Sequence, residues 1–236
     1  IAFAGVDYLL NEDLLIGAAL QFDDMEDVDG ASNSTVRGTG WMFGPYVTAR
    51  LAPNLYFDAR LAYGKSDNEV SPFNTYTDAF SGERWLATAT LSGAFSQGPW
   101  TIRPDATVSY FEETQASYTD SIGAFIPSQT VALGQIKIGP TISGRFETPS
   151  GLSYEPSLTL DGIFNFGETR GVTVSSPDTP HTEGFRGRVK AGVTFMNDTG
   201  TRVGISGIYD GIGASDFESF GLSFELNIPL SKPKAR

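Results

Sequence analysis

Apolar side chains occupy every second position between Phe220 and Leu230, and glycine, serine, glutamate, asparagine and proline fill the positions between them. Successive side chains of a β-strand point to opposite faces of a sheet, so this alternation predicts a strand with one apolar face and one polar face. The same pattern runs from Leu152 to Phe166, where Ile163 is the one apolar residue on the polar side. No apolar run is long enough for a membrane-spanning helix. The chain is therefore expected to form β-sheet.

Alternation along the whole chain predicts eleven strands joined by two kinds of connection. Short turns and longer polar loops follow one another, which puts the turns at one end of the sheet and the loops at the other. The approximate strands are 1–10, 14–23, 37–51, 55–66, 83–97, 100–112, 130–146, 152–166, 184–196, 201–210 and 217–230, and the long loops are 24–36, 67–82, 113–129, 167–183 and 211–216. This arrangement is typical of outer-membrane barrels. The predicted fold class is all-β: a single antiparallel transmembrane β-barrel domain over residues 1–236.

One face of the predicted strands carries most of the positive charge. Ten of the 16 Lys and Arg residues point to it, with several carboxylates beside them. A hydrated lumen accommodates these charges when opposite signs pair across neighbouring strands. An ordinary solvated sheet face is the alternative, but it would require all eleven long strands to share one compact core. The residues predicted to line the lumen are Arg50, Arg60, Arg84, Arg103, Lys137, Arg145, Arg186, Arg188, Lys190, Arg202, Asp58, Asp105, Glu155 and Asp161, and the same face carries Asp7, Asp210 and Glu225.

Aromatic residues form two rows on the predicted strands. One row lies near the long loops and the other near the short turns, with Val, Ile, Leu, Ala and Gly between them. Such rows match the aromatic girdles at the two interfaces of a membrane. The loop-end row is Trp41, Tyr63, Trp85, Tyr110, Phe164, Phe185 and Tyr209, and the turn-end row is Phe57, Trp100, Phe146, Tyr154 and Phe195. The predicted localisation is the outer membrane of a Gram-negative bacterium.

Charge and composition exclude several classes of function. The formal net charge is −12, which argues against nucleic acid as a partner because phosphate binding requires clustered Lys and Arg. The chain has no cysteine, which excludes disulfides and thiolate metal sites. Neither a metal nor a cofactor is predicted.

Two groups of predicted loop residues suggest a metal-binding site or a catalytic site, and for each a simpler interpretation is favoured. Asp23, Asp24, Glu26, Asp27 and Asp29 are expected in the first long loop as solvated charges. Binding of Ca²⁺ is the alternative, but their spacing does not fit the twelve-residue calcium loop. The sole histidine, His181, lies near Ser176 and Asp178. A hydrolase that uses a histidine base is conceivable there, but a loop histidine is more often simply solvated, and no catalytic residue is predicted.

Two stretches of the chain resemble a known family. Ser219, Gly221, Phe224 and Leu226 match the four positions of the C-terminal assembly signal of outer-membrane barrels, although further residues follow them. The opening stretch 5–17 and the stretch 55–64 resemble the hairpins of autotransporter β-domains. The resemblance implies recognition by the barrel-assembly machinery, a twelve-stranded barrel, a linker helix through the pore and an N-terminal passenger.

The number of strands also bears on closure of the barrel. Strands one and eleven both run towards the turn end, and single-chain bacterial barrels have an even number of strands. We therefore expect one further strand, together with the linker helix and the passenger, to precede Ile1.

The predicted function is a monomeric translocator barrel without enzymatic activity. It anchors and exports its own N-terminal passenger, surrounded by membrane lipid and lipopolysaccharide. A stand-alone channel for small anionic solutes is the main alternative, and a barrel enzyme is a third.

Overall fold

The computed structural model of the chain describes residues 1–30, 32–170, 184–215 and 217–229, and the side chains of residues 168–170 are outside this description. Eleven long strands form one antiparallel sheet in chain order. They are β1 (Ala2–Asn11), β2 (Leu14–Asp29), β3 (Ser34–Ala52), β4 (Leu55–Ser71), β5 (Asp78–Gly93), β6 (Trp100–Gln115), β7 (Gln129–Gly144), β8 (Ser153–Arg170), β9 (Gly184–Met196), β10 (Arg202–Ile212) and β11 (Ser219–Asn227). The predicted number of strands is confirmed.

Shorter elements complete the described fold. Phe95–Gln97 pairs with β6, and Phe146–Glu147 pairs with β8. Tyr118–Thr119 and Phe125–Ile126 form a small hairpin of their own, and Pro72–Asn74 forms a 3₁₀ turn. Among the described residues there is no helix that is both long and apolar enough to cross a membrane.

The strand register separates the two faces of the sheet along its whole width. One row of directly opposed residues consists of Asp7, Gly17, Tyr46, Arg60, Thr88, Ser109, Gln135 and Asn165. The row next to it points to the other side and consists of Tyr8, Ile16, Val47, Ala59, Ala89, Val108, Ile136, Phe164 and Phe185. We call the side of the first row the inner face and that of the second the outer face.

The outer face is exposed although it is apolar. Leu222, for example, has 92% of its surface accessible, and Phe224 and Ile205 are also exposed. The buried apolar residues in the described part of the chain are few: Met42, Ala62, Ala132 and Ile163. A soluble domain buries its large apolar side chains, so this single-layered sheet has the polarity expected of a protein surrounded by lipid.

Several predicted loops are shorter than the sequence suggested. β2 extends to Asp29 and β3 begins at Ser34, whereas the sequence analysis placed a loop at 24–36. Polar residues occupy both faces there, so the apolar–polar alternation that predicts a strand is lost. Backbone pairing nevertheless continues, as between Asp24 and Thr39. A tilted strand needs about ten residues to cross a membrane, and β4 has 17. These strands therefore continue beyond the apolar band.

The two end strands each pair with one neighbour. β1 pairs with β2, and β11 pairs with β10. In the described part of the chain, no strand pairing joins β1 to β11, and every residue of β1 is exposed. Both strands therefore present one edge of unpaired backbone groups.

Candidate functional site

The charged inner face is the candidate functional site. The register puts 13 of the 14 residues predicted to line the lumen on this face, within strands β3 to β10. Arg145 follows β7 directly and borders a cavity with Glu155 and Arg202. That this face encloses a lumen stays a prediction.

An ion cluster around Arg84 occupies the loop end of the inner face. Its guanidinium donates to the Asp23 carboxylate at 2.6 Å and to the Glu113 carboxylate at 3.1 Å. The Ser66 hydroxyl also donates to Glu113, at 2.8 Å, and Asn68 donates to Ser66. Charge-assisted hydrogen bonds of this kind are strong, and Arg84 is buried. The cluster therefore ties β2, β4, β5 and β6 together.

Glycines make room for this cluster. A Cβ atom at Gly40 would overlap the Arg84 guanidinium, and one at Gly82 would overlap the Ser66 hydroxyl. The neighbouring strands thus leave space for polar side chains that lie flat against the sheet.

The prediction that the acidic residues 23–29 lie in a loop is wrong. All five lie in β2, where Asp23 faces inward to Arg84 while Asp24 and Glu26 face outward. Glu26 forms an exposed ion pair with Arg37. No group of three or more potential metal ligands is found among the described residues. The role of Asp23 was not predicted from the sequence, although a period-two count continued from Gly17 places it on the inner face.

Further ion pairs lie on β6 to β10. Lys137 contacts Asp105 at 2.7 Å. The buried Asp210 carboxylate accepts from Arg186 at 2.8 Å and from Arg188 at 2.5 Å. Ile163 lies opposite Lys137 and Arg186 in the register and is fully buried. The single apolar residue that the sequence places on the polar face of β8 is therefore shielded from water.

At the turn end, four charged residues surround a cavity of about 230 Å³ on the inner face. Two of them are basic and two acidic: Arg145, Arg202, Glu155 and Glu225. Within the described part of the chain, none of the four forms an ion pair shorter than 4.0 Å. The cavity therefore presents charges of both signs that are free to pair with another segment.

The middle of the inner face contains a hydrogen bond that spans three strands and an arginine with two unpartnered nitrogen atoms. The Tyr46 hydroxyl donates to the Asp7 carboxylate at 2.9 Å, and its ring lies over Gly17, where a Cβ atom would collide with it. Tyr46 thus bridges β3 to β1 across β2. Nearby, the Nε and Nη2 atoms of Arg60 are buried without a hydrogen-bond partner.

A short hairpin, residues 116–128, contacts the loop end of β5. The buried Asp78 carboxylate accepts from the Ser121 amide at 2.8 Å and from the Ser121 hydroxyl at 2.5 Å. The Tyr118 ring stacks on Phe80, with centroids 5.4 Å apart. Burial raises the pKa of the Tyr118 phenol, and the charges of Asp78 and Asp120 raise it further.

The predicted assembly signal lies in β11. Phe224 and Leu226 are exposed on the outer face, while Ser219 and Gly221 are on the inner side, where a Cβ at Gly221 would crowd Ile208. The hydrolase hypothesis rested on His181, Ser176 and Asp178, and these three residues lie outside the described part of the chain.

Comparisons with known proteins identify a family from the sequence and similar folds among solved structures. A family model described as the autotransporter beta-domain matches residues 2–207. The chain is similar to the beta domain of the Bordetella autotransporter BrkA, with 19% identity over 94% of this chain and 86% of that one, at a TM-score of 0.57. It is also similar to the transport unit of the autotransporter AIDA-I from Escherichia coli, with 14% identity over 95% and 79%, at a TM-score of 0.53. No curated protein sequence matches the chain.

A third similar structure is the outer membrane transporter YddB from Escherichia coli. The identity is 10%, the match covers 94% of this chain but 35% of that one, and the TM-score is 0.53. At such identities the structural matches establish the fold alone, which is a β-barrel in both autotransporters.

Proposed function

Because the chain belongs to the autotransporter beta-domain family, we propose that it is a translocator: it anchors a longer protein and exports the N-terminal passenger of that protein through a hydrated lumen. Members of this family act in type V secretion in the outer membrane of Gram-negative bacteria, and this chain is therefore an outer-membrane β-barrel. The observation that carries the proposal is the pair of adjacent rows across the sheet, one polar and one apolar. A sheet with this polarity has a lipid-facing outside and a water-facing inside.

Closure of the barrel requires a further strand in this proposal. β1 and β11 each have one unpaired edge, and unpaired backbone groups cost several kcal/mol each in hydrocarbon. Both strands run towards the turn end, so one strand of opposite direction would pair with both. A segment that precedes Ile1 supplies this strand and brings the number of strands to twelve.

The inner face offers partners to a polypeptide that occupies the lumen. The turn-end cavity presents unpaired charges of both signs, from Arg145 and Arg202 and from Glu155 and Glu225. A polar linker that enters from the turn end would pair with these groups, and the export step requires no catalytic residue.

The environment of the barrel supplies the remaining partners. Membrane lipid and lipopolysaccharide surround the exposed outer face, and the barrel-assembly machinery recognises β11 through Phe224 and its neighbours.

Surface display of the upstream segment tests the function. An epitope is placed upstream of Ile1 in the complete protein, and intact cells are treated with protease. We expect the epitope to be cleaved in the parent and protected when residues 1–236 are deleted. A protected epitope in cells that contain the assembled barrel would contradict the proposal, and uptake of small anions by those cells would favour the channel instead.

Labelling of adjacent residues tests the lumen. The chain has no native cysteine, so Ser109→Cys and Val108→Cys each introduce a single thiol, one on the inner face and one on the outer face. We expect a water-soluble maleimide to label the cysteine at 109 faster than the one at 108, and a lipid-soluble reagent to show the opposite order. The reverse result would contradict the assignment of the inner face.

A further inference from the structure

We propose that the 116–128 hairpin is a latch on the outer mouth of the lumen. Held against the inner face of β5, it narrows the mouth, and it detaches while a polypeptide passes. This inference rests on the proposed function.

The register shows that the hairpin binds the inner side of the sheet. Asp78 and Phe80 alternate in phase with Arg84 along β5, and Asp78 lies opposite Val70. They therefore point to the same side as the Arg84 cluster, but closer to the loop end of the strand. Because Ser121 and Tyr118 contact these two residues, the hairpin lies over the mouth rather than against the lipid.

The attachment to β5 is specific but small. Asp78 is 7% exposed, so its carboxylate depends on the two hydrogen bonds from Ser121, since a buried carboxylate without partners is unfavourable. Two further contacts with β5 are the stack of Tyr118 on Phe80 and a backbone bond from Ala116 to Ser81 at 2.9 Å. Segments with few buried contacts open at a lower free energy than the sheet to which they are attached.

The hairpin also has enough internal bonding to move as one unit. Asp120 accepts hydrogen bonds from the amides of Ile122 and Ala124, and residues 118–119 pair with 125–126. Two of its apolar side chains are exposed, Ile122 at 71% and Phe125 at 68%. Breaking the contacts with Asp78, Phe80 and Ser81 would therefore release the hairpin from β5 without unfolding it.

A reversible disulfide tests whether detachment is needed. The variant Asp78→Cys with Ser121→Cys replaces two side chains that already touch, and the chain has no other cysteine. The matched control, Thr119→Cys with Phe125→Cys, closes a disulfide between opposed residues within the hairpin and makes no covalent link to β5. Both are made in the complete protein with the epitope upstream of Ile1.

In the oxidised latch variant, we expect surface exposure of the epitope to slow at least about fivefold, and reductant to restore the parental rate. The control should export at the parental rate in both states. Resistance of the folded barrel to detergent shows that assembly is intact. Export at the parental rate through an assembled, oxidised latch variant would overturn the inference.

A second measurement applies if the oxidised variant does not assemble. The same cysteine pair is kept reduced during assembly, and export is stalled by a folded domain in the upstream segment. Oxidant is then added. We expect the yield of the 78–121 disulfide to be at least about fivefold lower in the stalled protein than after completed export, and equal yields would overturn the inference. If the parent itself displays no epitope, the proposed function fails, and the latch with it.

Discussion

At the residue scale, the burial of a charged side chain decides how much its ion-pair partner contributes to stability. Arg84 is nearly buried between Asp23 and Glu113, whereas Arg37 and Glu26 form their ion pair in an exposed position on the outer side. Removing one partner of a buried pair leaves an uncompensated charge, while exposed pairs are screened by water. The two arginines therefore form a natural comparison within one sheet.

We predict that Arg84→Ala lowers the free energy of unfolding by about 3 to 5 kcal/mol, because Asp23 and Glu113 lose their shared cation. Arg37→Ala should leave stability almost unchanged. Denaturant unfolding of the complete protein in lipid vesicles measures both variants. Equal losses for the two would show that the Arg84 cluster contributes no more than a surface pair.

A second residue-scale prediction compares neighbouring positions on β7. Ile136 points outward in the apolar row and Gln135 inward in the polar row. Ile136→Arg should cost about 2 to 4 kcal/mol because it places a charge in hydrocarbon, and Gln135→Arg should cost much less. The same unfolding measurement checks both. A larger loss for the substitution at 135 would mean that the two faces are assigned the wrong way round.

At the scale of the element, β11 combines two requirements. Its outer face exposes Phe220, Leu222, Phe224 and Leu226, which suits contact with lipid. Its backbone pairs only with β10 in the described structure, so it is also an edge available for recognition before the barrel closes. We therefore expect assembly and final stability to depend on different properties of the same strand.

We predict that Gly221→Ala combined with Phe224→Ala slows assembly more than it destabilises the assembled barrel. The assembly machinery would bind the strand before closure, whereas the closed barrel retains the backbone bonds of β11. Pulse-chase measurement of membrane-inserted protein is compared with unfolding of the purified product. An unchanged rate of insertion would show that these residues contribute only to packing and not to recognition by the assembly machinery.

At the scale of the whole molecule, the long strands lie in the middle of the described sheet and the shorter ones at its two edges. β2 to β8 have 16 to 19 residues, while β9, β10, β11 and β1 have 9 to 13. The short strands adjoin the two unpaired edges, where the proposed twelfth strand would lie. Among the described residues, the 116–128 hairpin is attached to β5, which is one of the long strands.

Hydrogen exchange tests the seam. In the complete protein, we predict slow exchange of alternate amides of both β1 and β11, because a strand upstream of Ile1 accepts their outer hydrogen bonds. In a chain that starts at Ile1, the same amides should exchange faster, while β4 and β5 stay protected. Equal protection in the two proteins would indicate that β1 and β11 close directly on each other.

The sequence by itself determined where the apolar parts of the strands lie and which face each side chain takes there, because alternation is a local property with a period of two. It predicted the number of long strands, and alternation assigned Arg60 and Lys137 to one side and Ile136 to the other. It did not fix where pairing ends outside the membrane, since polar residues on both faces remove the signal while backbone bonds continue. A loop was predicted directly after Asp23 because the alternation signal is absent there.

Only the tertiary structure decided which charges meet. Alternation gives the face of a residue but not the height of its strand relative to the next, and ion pairs depend on both. Arg84 reaches Asp23 across 61 positions of sequence and Glu113 across 29, and Ser121 reaches Asp78 across 43. These contacts follow from the stagger of neighbouring strands and from glycines that leave room on the inner face, and both are properties of the assembled sheet.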